Sequence, residues 1–142
     1  MPISDIKIFT LSKIEVEGGK VLHAIKNDDE GFKGLGEVYF SFIESGAVKA
    51  WKLHKEMTLN LVVPLGMVRF VFCDPIKPND FRVEDIGEDN YVRLNVPPNI
   101  WFGFQGISDM KSLITNIANI KHDPEEVERK ELKDFSYKWG NI

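Results

Sequence analysis

The stretch EVYFSFIESGAVKAWKLHKEMTLNLVVPLGMVRFVFCD, residues 37–74, decides the fold class. It holds four runs, EVYFSFI, AVKAWKLH, LNLVVPL and MVRFVFC, each dense in Val, Ile, Phe, Tyr or Trp. These residue types favour a pleated, half-buried surface, so each run reads as a strand. Downstream, YVRLNVP, IWFGF and LITNIANI continue the pattern. Between the runs lie ESG, PLG, DPIKPND, GEDN, PPN and GISD, each with Gly, Pro, Asn or Asp to make a turn. Many short strands at close spacing predict an all-β antiparallel sandwich or barrel.

The chain has 142 residues, 43% hydrophobic and 28% charged. That fits one domain over residues 1–142, able to bury roughly 70% of its unfolded surface around one core. No run approaches the roughly 18 apolar residues of a membrane span, and MPISDIKIF carries charge where a signal peptide would be apolar. A cytoplasmic protein with no membrane contact is expected. The net charge of −4 argues against a general nucleic-acid binder, since phosphate neutralisation needs a basic surface. The single cysteine, Cys73, lies in VRFVFCD and reads as a quiet buried thiol.

Within VKAWKLH, alternation places Val48, Ala50, Lys52 and His54 on one face and Lys49, Trp51 and Leu53 on the other. Lys52 and His54 therefore point the same way, into a barrel interior if that face is the inner one and into solvent if Trp51 and Leu53 claim the core. The closing segment KHDPEEVERKELKDFSYKW is polar. Asp123 as a cap and Pro124 at the first helical position predict a short, partly helical tail with an exposed, charged surface. Tyr137 and Trp139 are expected to fasten that tail to the body.

The succession GEVYFSFIESGAVKAWKLHK, NLVVPLGMVRFVFCD, VPPNIWFGFQG, NIANIKHDPEE and YKW, over about residues 30 to 139, resembles the cupin family of nucleotide-sugar 3,5-epimerases, typified by dTDP-4-dehydrorhamnose 3,5-epimerase. The resemblance implies a double-stranded β-helix, the cupin jelly roll, and a homodimer that holds a sugar nucleotide in the barrel mouth. It also implies enolisation. A 4-keto group acidifies the neighbouring carbons, a base removes a proton, and reprotonation from the other face inverts the centre. Such chemistry needs a base near the working pH, an acid opposite and cationic groups for the developing oxyanion.

Carried over position by position, the family's arginine falls on Lys49 and its catalytic histidine on Lys52. The histidine after its Pro-Pro-Gly turn falls on Phe102, and its proposed acid tyrosine falls near His122. His54 matches the second member of the His-x-His pair of related sugar ketoisomerases. Cupin metal sites gather several histidines and a glutamate. Here His54 and the nearby Glu56 are too few, so neither metal nor cofactor is expected.

As base, Lys52 would need its pKa depressed by about 3 units from the usual value near 10.4, whereas His54 titrates near 6.5 unaided. His54 as base with Lys52 stabilising the oxyanion is the preferred assignment. Tyr39 is a candidate hydroxyl donor or a packing residue, and His122 a candidate acid or a turn histidine. Lys49, Trp51, Asn60, Trp101 and Phe102 are the candidate substrate-binding residues, with both tryptophans serving equally well as packing. Two functions follow: an isomerase of a 4-keto-6-deoxy sugar nucleotide in surface polysaccharide (lipopolysaccharide) synthesis, or a non-catalytic cupin that binds such a ligand or a partner protein.

Overall fold

A computed structural model describes residues 2–74, 76–77 and 79–140. Twelve strands run in chain order among them: β1 (Lys7–Thr10), β2 (Lys13–Val16), β3 (Gly19–Leu22), β4 (Glu37–Ile43), β5 (Val48–His54), β6 (Leu59–Leu65), β7 (Met67–Cys73), β8 (Phe81–Gly87), β9 (Val92–Val96), β10 (Trp101–Gly106), β11 (Ser112–Ala118) and β12 (Val127–Arg129). Two five-stranded sheets, ordered β1-β9-β6-β11-β4 and β12-β5-β10-β7-β8, face each other, and β2 pairs with β3 apart from them. Every ladder between strands is antiparallel. This is the all-β antiparallel sandwich that the alternating runs predict, in the jelly-roll form that the family resemblance implies.

Alternation decides what each sheet buries. Leu59, Leu61 and Val63 of β6 meet Val68, Phe70 and Phe72 of β7 and Ile114 and Ala118 of β11 between the sheets. The opposite parity of β5, β7 and β10 places Trp51, Leu53, Val71, Cys73 and Trp101 on the outer face of the second sheet. Phe135, Tyr137 and Trp139 of the C-terminal tail cover that face, so the two aromatics of the closing segment fasten the tail as expected. Cys73 is buried there, and desolvation, with Asp74 and Asp80 nearby, pushes its thiol up to about 11.

The structure departs from the sequence expectations at both ends of the chain and in β8. Strands β1 to β3 precede residue 37, where no run stood out, because they are four residues long and mostly exposed. In β8, FRVEDIG, charge masks the strand pattern: Arg82 reaches the carbonyls of Ile3 and Ile6, and Asp85 pairs with Arg69. The tail begins with the expected short turn, Pro124–Glu126, capped by the Asp123 side chain on the Glu125 amide. Its charged residues stay on the surface as expected, with the exception of Glu126, which is buried. Val127–Arg129 adds a strand to the edge of β5, with Val127 opposite His54 and Arg129 opposite Lys52.

Candidate active site

The strand β5 supplies the centre of the site. His54 is 4% exposed and Lys52 is half-buried, and both line a chamber of about 80 Å³ between the sheets, so the inner assignment of their face is correct. Tyr39 and Ser41 of β4 and Asn116 of β11 close the chamber from the opposite sheet, and Phe102 and Phe104 of β10 form a wall. Phe102 stacks on the His54 ring, with centroids 6.1 Å apart and planes 20° from parallel. A chamber this small has room for the reacting edge of a ligand and not its whole.

Ser41, Lys52, Phe102 and Phe104 also border a wider cleft of about 410 Å³, within the range of small-molecule sites. Lys49, Lys52, Arg129 and Lys130 line it, and among the described residues no carboxylate does. This cationic mouth leading to a small inner chamber suits an anionic ligand with a compact reactive end.

At the chamber floor, His54 Nδ1 lies 2.5 Å from Glu126 Oε1. Glu126 is 2% exposed, and its other oxygen accepts from the backbone N–H groups of Glu56 at 3.0 Å and Met57 at 3.3 Å. Burial alone would raise this carboxyl, but the His54 hydrogen bond, the two amides and the His54 charge outweigh it and hold Glu126 below the usual carboxylate range. An ionised Glu126 can only accept, so Nδ1 carries the proton and donates it in this hydrogen bond, which leaves Nε2 as the basic nitrogen of a side chain that lines the chamber. Burial lowers the His54 pKa more than Glu126 raises it, so the imidazole is neutral at neutral pH. Lys52 is also lowered, by desolvation first and then by Arg129 and Lys49, with Glu126 opposing.

Glu126 is a candidate site residue that the sequence reading missed, as are Asn116, Arg129 and Lys130; Glu126 stood within a charge run read as solvated surface. The carboxylate at His54 is Glu126 and not the adjacent Glu56, whose side chain is exposed. Four candidates direct their side chains away from the chamber. Trp51 borders the cleft, but its ring is 2% exposed and packs against Phe81, Phe135 and Trp139 on the outer face. Trp101 lies on that same face against Phe135, because it has the opposite parity from Phe102. Asn60 alternates with the inward Leu59 and Leu61, and its side chain instead binds Arg93, Asn95 and the Gly31 carbonyl. His122 is exposed and absent from the chamber lining; its amide donates to Glu37. His54, Lys52, Tyr39 and Phe102 do converge on the chamber, and Lys49 on its mouth. Among the described residues no three His, Cys, Asp or Glu side chains gather as metal ligands. Nor is any helix long and apolar enough to cross a membrane.

These groups set a pH profile. A depressed His54 pKa means that the folded state prefers neutral imidazole, so its stabilising contribution is present above about pH 6.5 and is lost as pH falls. Glu126, also depressed, loses its contribution as pH falls through the carboxylate range, in the same direction. If His54 is the base, kcat/KM stays level through neutrality and declines on the acid side with a midpoint below 6.5. On the alkaline side it declines below the ordinary lysine value near 10.4 as Lys52 loses its charge. An acid midpoint above 6.5 in the measured profile would rule out neutral, desolvated His54 as the base.

No family model matches the sequence. The chain is 33% identical to a dTDP sugar isomerase of Desulfovibrio desulfuricans G20, covering 97% of this chain and 92% of that one, with a TM-score of 0.90. It is 25% identical over 136 residues to a probable low-salt glycan biosynthesis epimerase of Haloferax volcanii, covering 92% of this chain and 87% of the relative. A dTDP-6-deoxy-D-glucose-3,5-epimerase of Legionella pneumophila, solved with dTDP-4-keto-L-rhamnose, is 15% identical over 100% of this chain and 82% of its own, with a TM-score of 0.82; at that identity the likeness is one of fold.

Proposed function

Because the chain belongs to the cupin family of nucleotide-sugar isomerases and epimerases, we propose that it enolises a 4-keto-6-deoxy sugar linked to a nucleoside diphosphate, in the synthesis of a surface glycan. The observation that carries this reading is the buried His54–Glu126 pair at the end of a cationic cleft. The diphosphate lies against Lys49, Arg129 and Lys130, and the ketone enters the inner chamber. His54 Nε2 removes the proton next to the ketone. Lys52 faces the developing oxyanion, a role in which a fixed charge in a water-poor site acts strongly. A binding module would need the cationic mouth but no oriented, neutral imidazole, which favours the enzyme over the non-catalytic alternative.

The protein acts as a cytoplasmic homodimer in this reading. Strand β4 is the edge of its sheet, seven residues long, and exposes Val38, Phe40 and Phe42 on its outer face. Long apolar edges of this kind are normally covered, and a second copy covers this one.

The test is deuterium uptake. The protein is incubated in D₂O with dTDP-, UDP- and GDP-linked 4-keto-6-deoxy sugars, and the carbons beside the ketone are followed by NMR. Deuterium at one or both flanking carbons is expected. Saturable binding without any uptake across the panel would leave the protein a binding cupin.

A further inference from the structure

The chamber wall opposite His54 carries a second polar pair, and its hydrogen-bond polarity can be assigned from the backbone. Asn116 and Tyr39 are direct partners in the β11–β4 ladder, and both side chains line the chamber. Asn116 is 3% exposed. Its Oδ1 accepts from the Asn60 backbone N–H at 3.2 Å, and a backbone N–H only donates, so that end of the amide is the oxygen. The other end is therefore NH₂, and it donates to the Tyr39 hydroxyl oxygen at 2.9 Å. Tyr39 is thus an acceptor toward the protein. Among the described residues, the acceptor within reach of its own proton is the Met57 sulfur at 3.9 Å, a weak one.

Building on the enolising function proposed above, we infer that Asn116 is a positioning residue that turns the Tyr39 O–H toward the substrate, making Tyr39 the acid that reprotonates the enolate on the face away from His54. The step balances. The C–H proton passes to His54 Nε2, and its electron pair enters the enolate that Lys52 stabilises. Tyr39 then gives its proton to the same carbon from the opposite face, its O–H electrons remaining as phenolate. The Asn116 NH₂ hydrogen-bonds that developing phenolate. Water then returns a proton to Tyr39 and takes one from His54, and the inverted carbon carries a solvent proton.

This assigns exchange and inversion to different walls of the chamber, and they can be measured separately. Tyr39→Phe, Asn116→Asp and the double variant are compared with the unmodified protein in D₂O, scoring deuterium in recovered substrate and inverted product. Asn116→Asp keeps an oxygen for the Asn60 N–H but replaces the donor with an acceptor, which draws the Tyr39 proton away from the substrate. The single variants should keep exchange with retained configuration while inversion falls about 100-fold or more, the scale of a lost proton donor. The double variant should invert no more slowly than Tyr39→Phe alone. Asn116→Ser, with melting temperatures for each protein, covers the case in which Asn116→Asp does not fold, and the same split is expected of it.

Unchanged inversion in the Asn116 variants would overturn the inference, as would parallel loss of exchange and inversion in folded protein. So would exchange without inversion in the unmodified protein. Absence of exchange in the unmodified protein would instead remove the enolising function itself.

Discussion

Replacing His54 with Gln is expected to abolish measurable deuterium uptake into the 4-keto sugar, with kcat falling by about 10³-fold or more while the protein remains folded. General-base removal typically costs 10² to 10⁴ in rate, roughly 3 to 5 kcal/mol of barrier at 1.4 kcal/mol per decade. The upper part of that range applies because nothing else in the chamber is poised as a base: Lys52 is lowered from its ordinary value but carries its charge in the role assigned to it, and Tyr39 is raised by burial. Glutamine retains a group that can donate to Glu126, which limits the cost of leaving that carboxylate buried without its partner. Binding of the sugar nucleotide should change little, since Lys49, Arg129 and Lys130 are untouched. Isotope uptake by His54→Gln within tenfold of the unmodified rate would move the base elsewhere, with Lys52 the next to be tested.

The second large effect is expected far from the chamber. Trp51→Ala should destabilise the protein by about 3–5 kcal/mol in urea unfolding, the usual cost of deleting a buried aromatic. The ring is 2% exposed, packs on Phe81, Phe135 and Trp139, and donates its Nε1–H to the Leu132 carbonyl at 3.2 Å. Its backbone exchanges hydrogen bonds with Lys130, both at 3.0 Å. Trp51 therefore holds the tail on both counts, and the tail carries Glu126. The variant should lose activity beyond what the unfolded fraction explains, because a loosened tail withdraws the carboxylate that orients His54. Activity per folded molecule equal to that of the unmodified protein would show that the Glu126 contact survives without the aromatic clamp.

The fold was legible because the strands of the sandwich obey a period of two with β-branched and aromatic residues, as in MVRFVFC, whose Phe70 and Phe72 enter the core while Val71 and Cys73 face the tail. The same rule put Lys52 and His54 on one face, while leaving open whether that face was the inner one. It gave no guidance for Glu126, because that burial depends on a long-range contact between residues 72 positions apart, and a glutamate in PEEVERK has the composition of a solvated turn. Trp51, Trp101 and Asn60 were misplaced for a related reason. An aromatic or an amide suits a binding wall as well as a packed outer face, and only the location of the tail and the Gly31 loop decides which it is. His122 stood where the resemblance places the family's acid tyrosine, in a segment where it is the carboxylate four positions later that meets His54.

Strand β12 also imposes a schedule on the molecule. Chains are made from the N-terminus onward, and both sheets apart from this one edge are encoded before Glu126 emerges. A nascent chain can therefore gather its core, and even its cationic mouth in part, while His54 still lacks its carboxylate partner. In the proposed reaction, proton abstraction needs that last strand in place, so turnover would report completion of the fold as well as its presence. A chain stalled or clipped before Glu126 would lack the carboxylate partner of His54 together with Arg129 and Lys130 of the cleft, and is expected to be chemically silent.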